Sequence, residues 1–462
     1  MPEIDNLNLT NLSSAELIDF IYRLADENQI LRTRIVELED KLHEKGTGDG
    51  KKEPPSWVKP NIKHKKHHKR KTRAVNFARR KEKPTATVFH SFNACPDCGG
   101  NLGAPSVCYI RQIIDIPIVQ TSITDHVVFK RYCANCKTRF YPRPDFSSLV
   151  FGNCRLGINL MAAVNSLRED SHLTLTQIQN ILTTFYQVKV SSGEIIDILD
   201  KAALLGKRQY ETIKNNLLSS NVIHADETGG REKGRNGYFW NFSNEKNQFV
   251  VYRHSRGSKI VKEVLGEGGE NFDGILTTDF YAAYNEHNGF HQRCWVHLLR
   301  DIHNLTENYP KDKIVKRWAK DVRIIYDKAV SYTGPPQDLP NTIQEKQRVK
   351  QEQEFKKELI KICEPHLKTD SPVSTLSGRV IKFISELFTF VRFPNISSNN
   401  NKAERDIRHL VVSRKISGGT RSSKGSETKS ILTSLFGTWR LQGLNSFEQT
   451  RLLFLNASCQ EK

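Results

Sequence analysis

Asn221-Val222-Ile223-His224-Ala225-Asp226 is a short apolar run that closes on an aspartate, and it predicts the first strand of a sheet. Further strands are predicted at 238–242, 248–254 and 274–279, with a helix at 258–265 before the last of them. The glycines within 229–237 predict the first turn, beginning at Gly229 and Gly230. Three antiparallel strands, a crossover helix and a parallel strand indicate a mixed α/β sheet with helices on its faces.

Two of these strands end in an acid, Asp226 and Asp279. A right-handed crossover can place the two strands side by side, so that both carboxylates emerge at the edge where α/β proteins bind ligands. A third acid, Glu404, lies in the run 399–408, NNNKAERDIR, which predicts a helix. The chain between Asp279 and Glu404 can loop out and return to the sheet. Three such carboxylates can hold two Mg²⁺ ions, which serve in-line displacement at phosphodiesters.

Each acid also has an ordinary interpretation. Asp226 can cap the turn that follows it, and Asp279 can cap a helix beginning at Phe280. Glu404 can pair with Arg408 four residues later, a contact that stabilises a helix by only ~0.2–0.5 kcal/mol. Spacing and topology alone therefore leave the metal-binding and the structural interpretations open.

The charge of the chain is unevenly placed. Residues 51–83 carry 14 Lys and Arg against two Glu, so these 33 residues supply +12 of the net charge of +19. A localised basic run of this kind predicts a DNA partner, although a solvated tail without a partner has the same composition. The expected DNA contacts are Lys65, Lys66, Lys69, Arg70, Arg79 and Arg80 in this run, and Lys402, Arg405, Arg408, Arg414 and Lys415 around Glu404.

The N-terminal residues 13–42 predict a helix with a leucine-zipper pattern. A capping box at Ser13–Glu16 opens it, and apolar residues then recur at alternate spacings of four and three. The positions that share this seam are Leu17, Ile21, Leu24, Asn28, Leu31, Ile35, Leu38 and Leu42. Leucine at one heptad position, isoleucine at the other and one asparagine favour a parallel coiled coil, hence a homodimer or higher homo-oligomer. The alternative is an amphipathic helix packed on its own domain.

Two C-x-x-C pairs, Cys95/Cys98 and Cys133/Cys136, frame 34 residues in which alternating strands are predicted at 109–119 and 122–132. This pattern predicts a closed, tetrahedral site for one structural Zn²⁺. Nine cysteines, an odd number, fit metal binding in a reducing cytoplasm better than a disulfide framework. A redox pair is the weaker alternative.

Two further patterns leave alternatives open. Residues 173–199 predict a helix, a short turn at 186–190 and a second helix with a capping box at 191–194, an arrangement that resembles a helix-turn-helix or is plain packing. Cys294 and His297 form a C-x-x-H pair that could bind a second zinc, but a lone cysteine is more often a small buried apolar residue.

Length and hydropathy bound the rest of the organisation. The 462 residues are enough for two to four domains. The sequence has no apolar run approaching ~20 residues and no signal peptide, so we expect no membrane segment and a cytoplasmic location. The expected division is a coiled-coil helix at 1–45, a basic linker at 46–88, a zinc-binding domain at 89–145, a helical domain at 146–218, a catalytic domain at 219–300 and 395–425, a helical insertion at 301–394 and a C-terminal helical tail at 426–462.

Four segments closely resemble the transposase of the insertion-sequence sixty-six family. They are HADET at 224–228, LTTDFYAAY at 276–284, CWVHLLR at 294–300 and NNKAERDIR at 400–408, and the order of the domains is also similar. Two positions depart from the family pattern. Gly229 stands where a proline often follows the threonine, and Leu299-Arg300 replaces a usual Arg-Arg pair.

The resemblance implies a multidomain α+β protein with an RNase H-like catalytic fold. It implies a DDE triad of Asp226, Asp279 and Glu404, cleavage at transposon ends and transfer of the freed 3′ ends to target DNA. A prokaryotic, nucleoid-associated location and accessory proteins from the same element are also expected. The competing hypotheses are a non-catalytic DNA-binding regulator and a structure-directed nuclease that hydrolyses strands without joining them.

Overall fold

The computed structural model describes residues 81–116 and 121–460. The chain divides into two compact units, Met1–Ile114 and Asp115–Lys462. The zipper positions from Leu17 to Leu42 lie outside the described residues, as do Lys65, Lys66, Lys69, Arg70, Arg79 and Arg80. Across the described ranges, no helix has the length and apolar character that crossing a membrane requires.

A five-stranded mixed sheet lies at the centre of the second unit. A small hairpin, β1 (Arg131–Cys133) and β2 (Thr138–Phe140), precedes it in the chain. The strands of the main sheet are β3 (Val222–Glu232), β4 (Arg235–Ser243), β5 (Gln248–Arg253), β6 (Ile275–Thr278) and β7 (His291–Arg293). Their order is β5-β4-β3-β6-β7, with β3, β4 and β5 antiparallel and β3, β6 and β7 parallel.

The expectation of three antiparallel strands followed by a parallel strand is confirmed, but the first turn was placed wrongly. β3 continues through Gly229 and Gly230, and the turn falls at Lys233 and Gly234, both of which have positive φ. Gly230 pairs with Gly237 across the hairpin, so these glycines lie in strands. The parallel strand β7 was not predicted.

Thirteen α-helices complete the fold of the described residues. They are α1 (Ile158–Glu169), α2 (Leu175–Tyr186), α3 (Ser192–Leu218), α4 (Lys259–Leu265), α5 (Trp295–Asn308), α6 (Lys313–Val330), α7 (Asn341–Cys363), α8 (Ser374–Lys382), α9 (Ile384–Leu387), α10 (Thr389–Arg392), α11 (Asn401–Ser417), α12 (Ser423–Leu441) and α13 (Ser446–Gln460). Short 3₁₀ turns occur at Glu267–Gly269, Ala282–Glu286 and Glu364–His366. The predicted helix pair at 173–199 is present as α2 and α3, and both helices begin with a capping box, at Thr174 and Ser191.

Helix α12 covers the outer edge of the sheet. Ser430, Ser434 and Thr438 lie one helical turn apart and accept hydrogen bonds from the backbone N–H groups of β5, at 3.1, 2.8 and 3.0 Å. An uncovered edge strand would leave these N–H groups free to pair with another chain. The hydroxyl row therefore seals the sheet and joins α12 to the main core.

The second unit has two large hydrophobic cores. The main core joins the sheet to α1, α3, α4 and α12. The other is formed by helices α5 to α10 and includes the fully buried Trp295 and Phe388. A helical subdomain therefore separates β7 from α11 in sequence, as the pattern at 301–394 indicated.

Of the strands predicted at 109–119 and 122–132, the described residues form only the last two positions, Arg131 and Tyr132, which begin β1. Residues 109–116 and 121–130 have no regular secondary structure. Their apolar side chains are exposed, with Ile116 at 85% and Ile123 at 90%. Alternation of apolar residues predicts a strand only where another layer covers one face, and these residues have none.

Candidate active site

Asp226 lies within β3, and Asp279 directly follows the neighbouring parallel strand β6. His224 on β3 pairs with Thr277 on β6, and each aspartate stands two residues further along the chain. Side chains alternate between the two faces of a sheet, so both carboxylates lie on the same face. The Asp226 Oδ1 atom accepts the N–H of Glu227, and the Asp279 Oδ1 atom accepts that of Tyr281, each at 2.9 Å.

Helix α11 is held against this face through Asn400, the residue before its first turn. The Asn400 side-chain amide donates to the carbonyl of Ala225 at 2.7 Å, and its Oδ1 atom lies 3.3 Å from His224 Nδ1. Its backbone N–H donates to the Cys294 sulfur at 3.2 Å. Asn400 and Cys294 are almost completely buried. These contacts hold the start of α11 beside His224 and Ala225 of β3.

Cys294 and His297 are therefore explained by packing around α11. Cys294 is buried, and its sulfur accepts a hydrogen bond from the backbone N–H of Asn400. The neighbouring Cys294 sulfur is the main cause that raises the pKa of His297. His297 Nε2 lies 3.7 Å from Glu404 Oε1. Nearby Asp279 and Glu404 raise the pKa of His297 further. The pair connects α5 to the candidate centre.

The carboxylates share one electrostatic environment. Burial raises the pKa of Asp226 to about 7, and the negative charges of Glu227, Asp279 and Glu404 act in the same direction. Such a site favours protonation or a bound cation, because either neutralises charge that burial makes costly. Carboxylate oxygens are the donors that Mg²⁺ prefers. Glu404 Oε1 is buried and has no hydrogen-bond partner among the described residues, so this oxygen is available as a metal ligand.

The three acids approach one another without closing into a coordination shell. Over residues 81–116 and 121–460, no group of three His, Cys, Asp or Glu side chains is arranged to enclose a metal ion. The donor types, the shared face and the unpartnered Glu404 oxygen fit a divalent cation, and small side-chain movements would have to bring the oxygens together.

A second buried acid lies beside Asp226. The Glu227 side chain is 3% exposed and accepts hydrogen bonds from Arg256, at 2.7 Å, and from the Tyr284 hydroxyl, at 2.6 Å. The Arg256 guanidinium lies 4.0 Å from the centre of the Tyr281 ring. The backbone N–H of Tyr281 donates to Asp279, so this network connects the Asp226–Glu227 segment of β3 to the loop after β6.

Arg293 holds the same loop in place through hydrogen bonds. Its side chain is fully buried and donates to the backbone carbonyl of Asp279 at 2.9 Å and to Glu386 at 2.6 Å. Glu386 belongs to the helical subdomain, so Arg293 connects that subdomain to the candidate centre. Sequence reasoning missed Arg293, Asn400 and the contact between His297 and Glu404. The only available signals were an arginine within a short polar segment and the run of asparagines before Glu404.

The predicted DNA-binding cations of α11 differ in exposure. Lys402 is 12% exposed and pairs with Asp406 at 3.3 Å, so its charge is already engaged. Arg405, Arg408 and Lys415 are exposed. Arg414 is partly buried, and its Nε atom has no partner among the described residues.

Each C-x-x-C pair forms a tight local turn. In the first unit, backbone N–H groups of Cys98 and Asp97 directed at the Cys95 sulfur lower the pKa of Cys95. In the second unit, the N–H groups of Cys136 and Asn135 do the same for Cys133. Hydrogen bonds that stabilise a thiolate suit zinc ligation, because the thiolate is the form that binds metal. The backbone of each pair is thus suited to presenting zinc ligands.

Comparison with known proteins agrees with this arrangement. Residues 153–428 match the Transposase IS66 family, and residues 93–137 match the zinc-finger binding domain of transposase IS66. An uncharacterised protein of Sinorhizobium fredii, y4jO, is 25% identical over 176 residues, which are 37% of this chain and 50% of that protein. The chain thus spans about half the length of the curated relative it matches. The first match covers Asp226, Asp279 and Glu404, the second covers all four paired cysteines, and the chain belongs to the IS66 transposase family.

Proposed function

We propose that this protein is a DNA transposase that cleaves phosphodiester bonds at transposon ends and joins the 3′ ends to target DNA. The observation that carries the proposal is the alignment of Asp226 with Asp279 on one face of the sheet, with Glu404 docked against that face. The strand order, three antiparallel strands continued by two parallel ones, supports an RNase H-like fold. Membership of the family supports the reaction class.

The chemistry assigned to the site needs few protein groups. Two Mg²⁺ ions held by Asp226, Asp279 and Glu404 would activate the attacking oxygen and stabilise the leaving oxygen. In the first step water attacks phosphorus, the bond to the 3′ oxygen breaks, and a free 3′ hydroxyl remains. In the second step that hydroxyl attacks a target phosphodiester, whose own 3′ oxygen leaves. Asn400 and Arg293 would act as positioning residues for the acids.

Substrate binding is assigned to separate parts of the chain. The exposed Arg405 and Arg408 would contact phosphates beside the cleaved bond, and the basic run at 51–83 would add sequence-independent affinity that falls steeply with salt. The zinc-finger domain, with one structural Zn²⁺ held by Cys95, Cys98, Cys133 and Cys136, and the α2–α3 pair would recognise the ends. The zipper residues would join protomers, and accessory proteins could complete the assembly.

The decisive experiment separates cleavage, joining and binding. Asp226→Asn keeps the size of the side chain, and we expect strand cleavage to fall by on the order of 10⁴-fold or more, as when one member of a catalytic unit is removed. Joining of pre-cut ends should fall equally, while binding of end DNA is retained. Lys320→Ala, an exposed change on α6, is the matched control. Cleavage by Asp226→Asn at the rate of the unaltered protein would contradict the assignment of the three acids as the catalytic triad.

The same assay tests the competing functions. A structure-directed nuclease would cleave but fail to join pre-cut ends, and a non-catalytic regulator would bind DNA and show neither reaction. If the unaltered protein joins pre-cut ends and Asp226→Asn does not, the result supports a transposase and neither of the competing functions.

A further inference from the structure

A groove of about 400 Å³ lies between the tip of the β3–β4 hairpin and the end of α11. Five of its nine lining residues are glycines, and the others include Arg231, Arg414 and Tyr238. Gly229 opens the groove three residues beyond Asp226, which at ~3.3 Å per strand residue places it roughly 10 Å along β3 from the candidate centre. A ligand lying in the groove could therefore extend to the acids.

The walls of the groove are tied together by backbone hydrogen bonds. The Thr420 N–H donates to the Arg231 carbonyl at 2.8 Å, and the Lys233 N–H donates to the Thr420 carbonyl at 2.9 Å. The loop after α11 thus runs beside β3 as a short parallel bridge. At Gly419, with φ +119°, an added Cβ would lie 2.4 Å from the Arg231 carbonyl oxygen. The groove is consequently preformed.

Packing explains some of the lining glycines but leaves one unexplained. A Cβ at Gly230 would lie 2.8 Å from the Phe239 ring, and one at Gly237 would lie 2.1 Å from the Tyr252 hydroxyl. Gly229 has neither reason, because its φ is not positive and no heavy atom lies within 4 Å of an added Cβ. The paired Gly230 and Gly237 lie on the face of the hairpin that packs against α11, and their missing side chains leave backbone exposed in the groove, which suits the close approach of a ligand.

The surroundings of the groove are strongly basic. The hairpin tip contributes Arg231, Lys233 and Arg235, while the end of α11 and the following loop contribute Arg414, Lys415 and Arg421. None of these six forms an ion pair with another described residue. The one acid of the hairpin tip, Glu232, is 8% exposed and accepts a hydrogen bond from Ser426. The Arg414 Nε atom is buried without a partner, so it has a hydrogen bond to give.

We propose that this groove binds the sugar-phosphate backbone of a single DNA strand next to the phosphodiester that is cleaved. Arg231 and Arg414 would contact phosphate, and the backbone at Gly230 and Gly237 would allow close approach. A volume of this size suits one nucleotide. The inference rests on the proposed function for the identity of the nucleic acid.

Two variants of the full-length protein test the groove by fluorescence anisotropy with labelled DNA. For Arg231→Ala/Arg414→Ala, the slope of log affinity against log salt for a single-stranded oligonucleotide should become shallower by about 1.4, from about 0.7 for each lost phosphate contact. Lys320→Ala/Lys316→Ala, which removes two exposed charges on α6, should leave the slope near that of the unaltered protein. A slope equal to this control would overturn the proposal.

The two proposals fail separately. If Arg231→Ala/Arg414→Ala has the slope of its control, the Asp226→Asn result still stands. If Asp226→Asn cleaves normally, the double variant still reports DNA binding.

Discussion

The catalytic face (Asp226, Asp279, Glu404 and the residues that hold them) and the cysteine region (residues 81–116 and 121–140) are built in opposite ways. On the catalytic face, buried residues from distant parts of the chain position the backbone that carries the acids, as Asn400 does for the start of α11. In the cysteine region the paired cysteines sit in local turns and the apolar side chains are exposed. One arrangement depends on tertiary packing and the other on local backbone geometry.

This contrast indicates in which of the two regions a bound metal contributes to folding. The catalytic face has its sheet and helices in place from protein contacts alone, so a cation there would adjust charge and side-chain positions. The cysteine region buries little apolar surface, and small modules of this kind are commonly stabilised by metal binding. Zinc is therefore expected to contribute to folding, whereas Mg²⁺ is expected to contribute to chemistry.

The largest expected effect is loss of zinc from the cysteine region. Cys95→Ala or Cys133→Ala should reduce bound zinc from about one ion per chain to about none, because a closed structural site uses four ligands. Atomic absorption of the purified protein measures the zinc. Cys108→Ala is the matched control, since Cys108 is a free, exposed cysteine of the same region. Equal zinc loss in Cys108→Ala would show that the ligand set is wrong.

The next effect is a pH dependence confined to the catalytic face. The folded-state pKa of Asp226 is about 7, above the ordinary value of 3.8, so the folded protein binds a proton that the unfolded chain has released. Without divalent cations, stability should fall as pH rises from about 4 to about 7 and then level off. Asp226→Asn should remove this fall and gain on the order of 2–4 kcal/mol at pH 8. Urea unfolding in a chelating buffer measures it, and identical pH profiles for the two proteins would contradict the assignment.

A smaller effect is expected where α11 meets β3. Asn400→Ala removes buried hydrogen bonds to Ala225 and His224, and leaving such groups unsatisfied costs about 1–3 kcal/mol. Cleavage should fall with stability because Glu404 loses its support. Asn308→Ala, at the exposed end of α5, is the control for a surface asparagine. If Asn400→Ala unfolds and cleaves like this control, α11 is positioned by other contacts.

An effect of similar size on stability is expected at the edge of the sheet that α12 covers. Ser434→Ala leaves the Val250 N–H without its hydroxyl acceptor in a buried place, so the free energy of unfolding should fall by about 1–3 kcal/mol. Thermal denaturation followed by circular dichroism measures the change. Zinc content and Mg²⁺ binding should be unaffected, and a change in either would show that the regions are less independent than the contrast implies.

Several parts of this structure could be predicted from sequence because the responsible signals are local. The apolar runs before Asp226 and Asp279 predict buried strands, which are present as the first part of β3 and as β6, and the capping box at Ser191–Glu194 marks a helix start. The prediction that each strand ends in its acid is correct for Asp279, but β3 continues past Asp226 to Glu232. The resemblance of the four motifs to a known family pointed to the same three acids.

Other parts could not be predicted because their cause is tertiary. The strand β7 reads His291-Gln292-Arg293, which is short and polar, and it is stable in the core because distant groups satisfy it. The Gln292 side chain, for example, accepts the N–H of Phe390 at 2.9 Å. Gly229 and Gly230 resemble a turn in sequence, yet the aromatic rings beside Gly230 and Gly237 explain two glycines within strands. The apolar alternation at 109–116 and 121–130 lacks a covering layer and forms no strand.

The central claim is that Asp226, Asp279 and Glu404 form one divalent-cation site. Its most direct test is Mn²⁺ binding followed by electron paramagnetic resonance, with Mn²⁺ standing in for Mg²⁺. The account predicts that Asp226→Asn, Asp279→Asn and Glu404→Gln each weaken binding by more than about a hundredfold, because loss of a supporting residue alone costs about 10–100-fold. Unchanged Mn²⁺ affinity in Glu404→Gln, with the two aspartate variants impaired, would contradict a three-acid site.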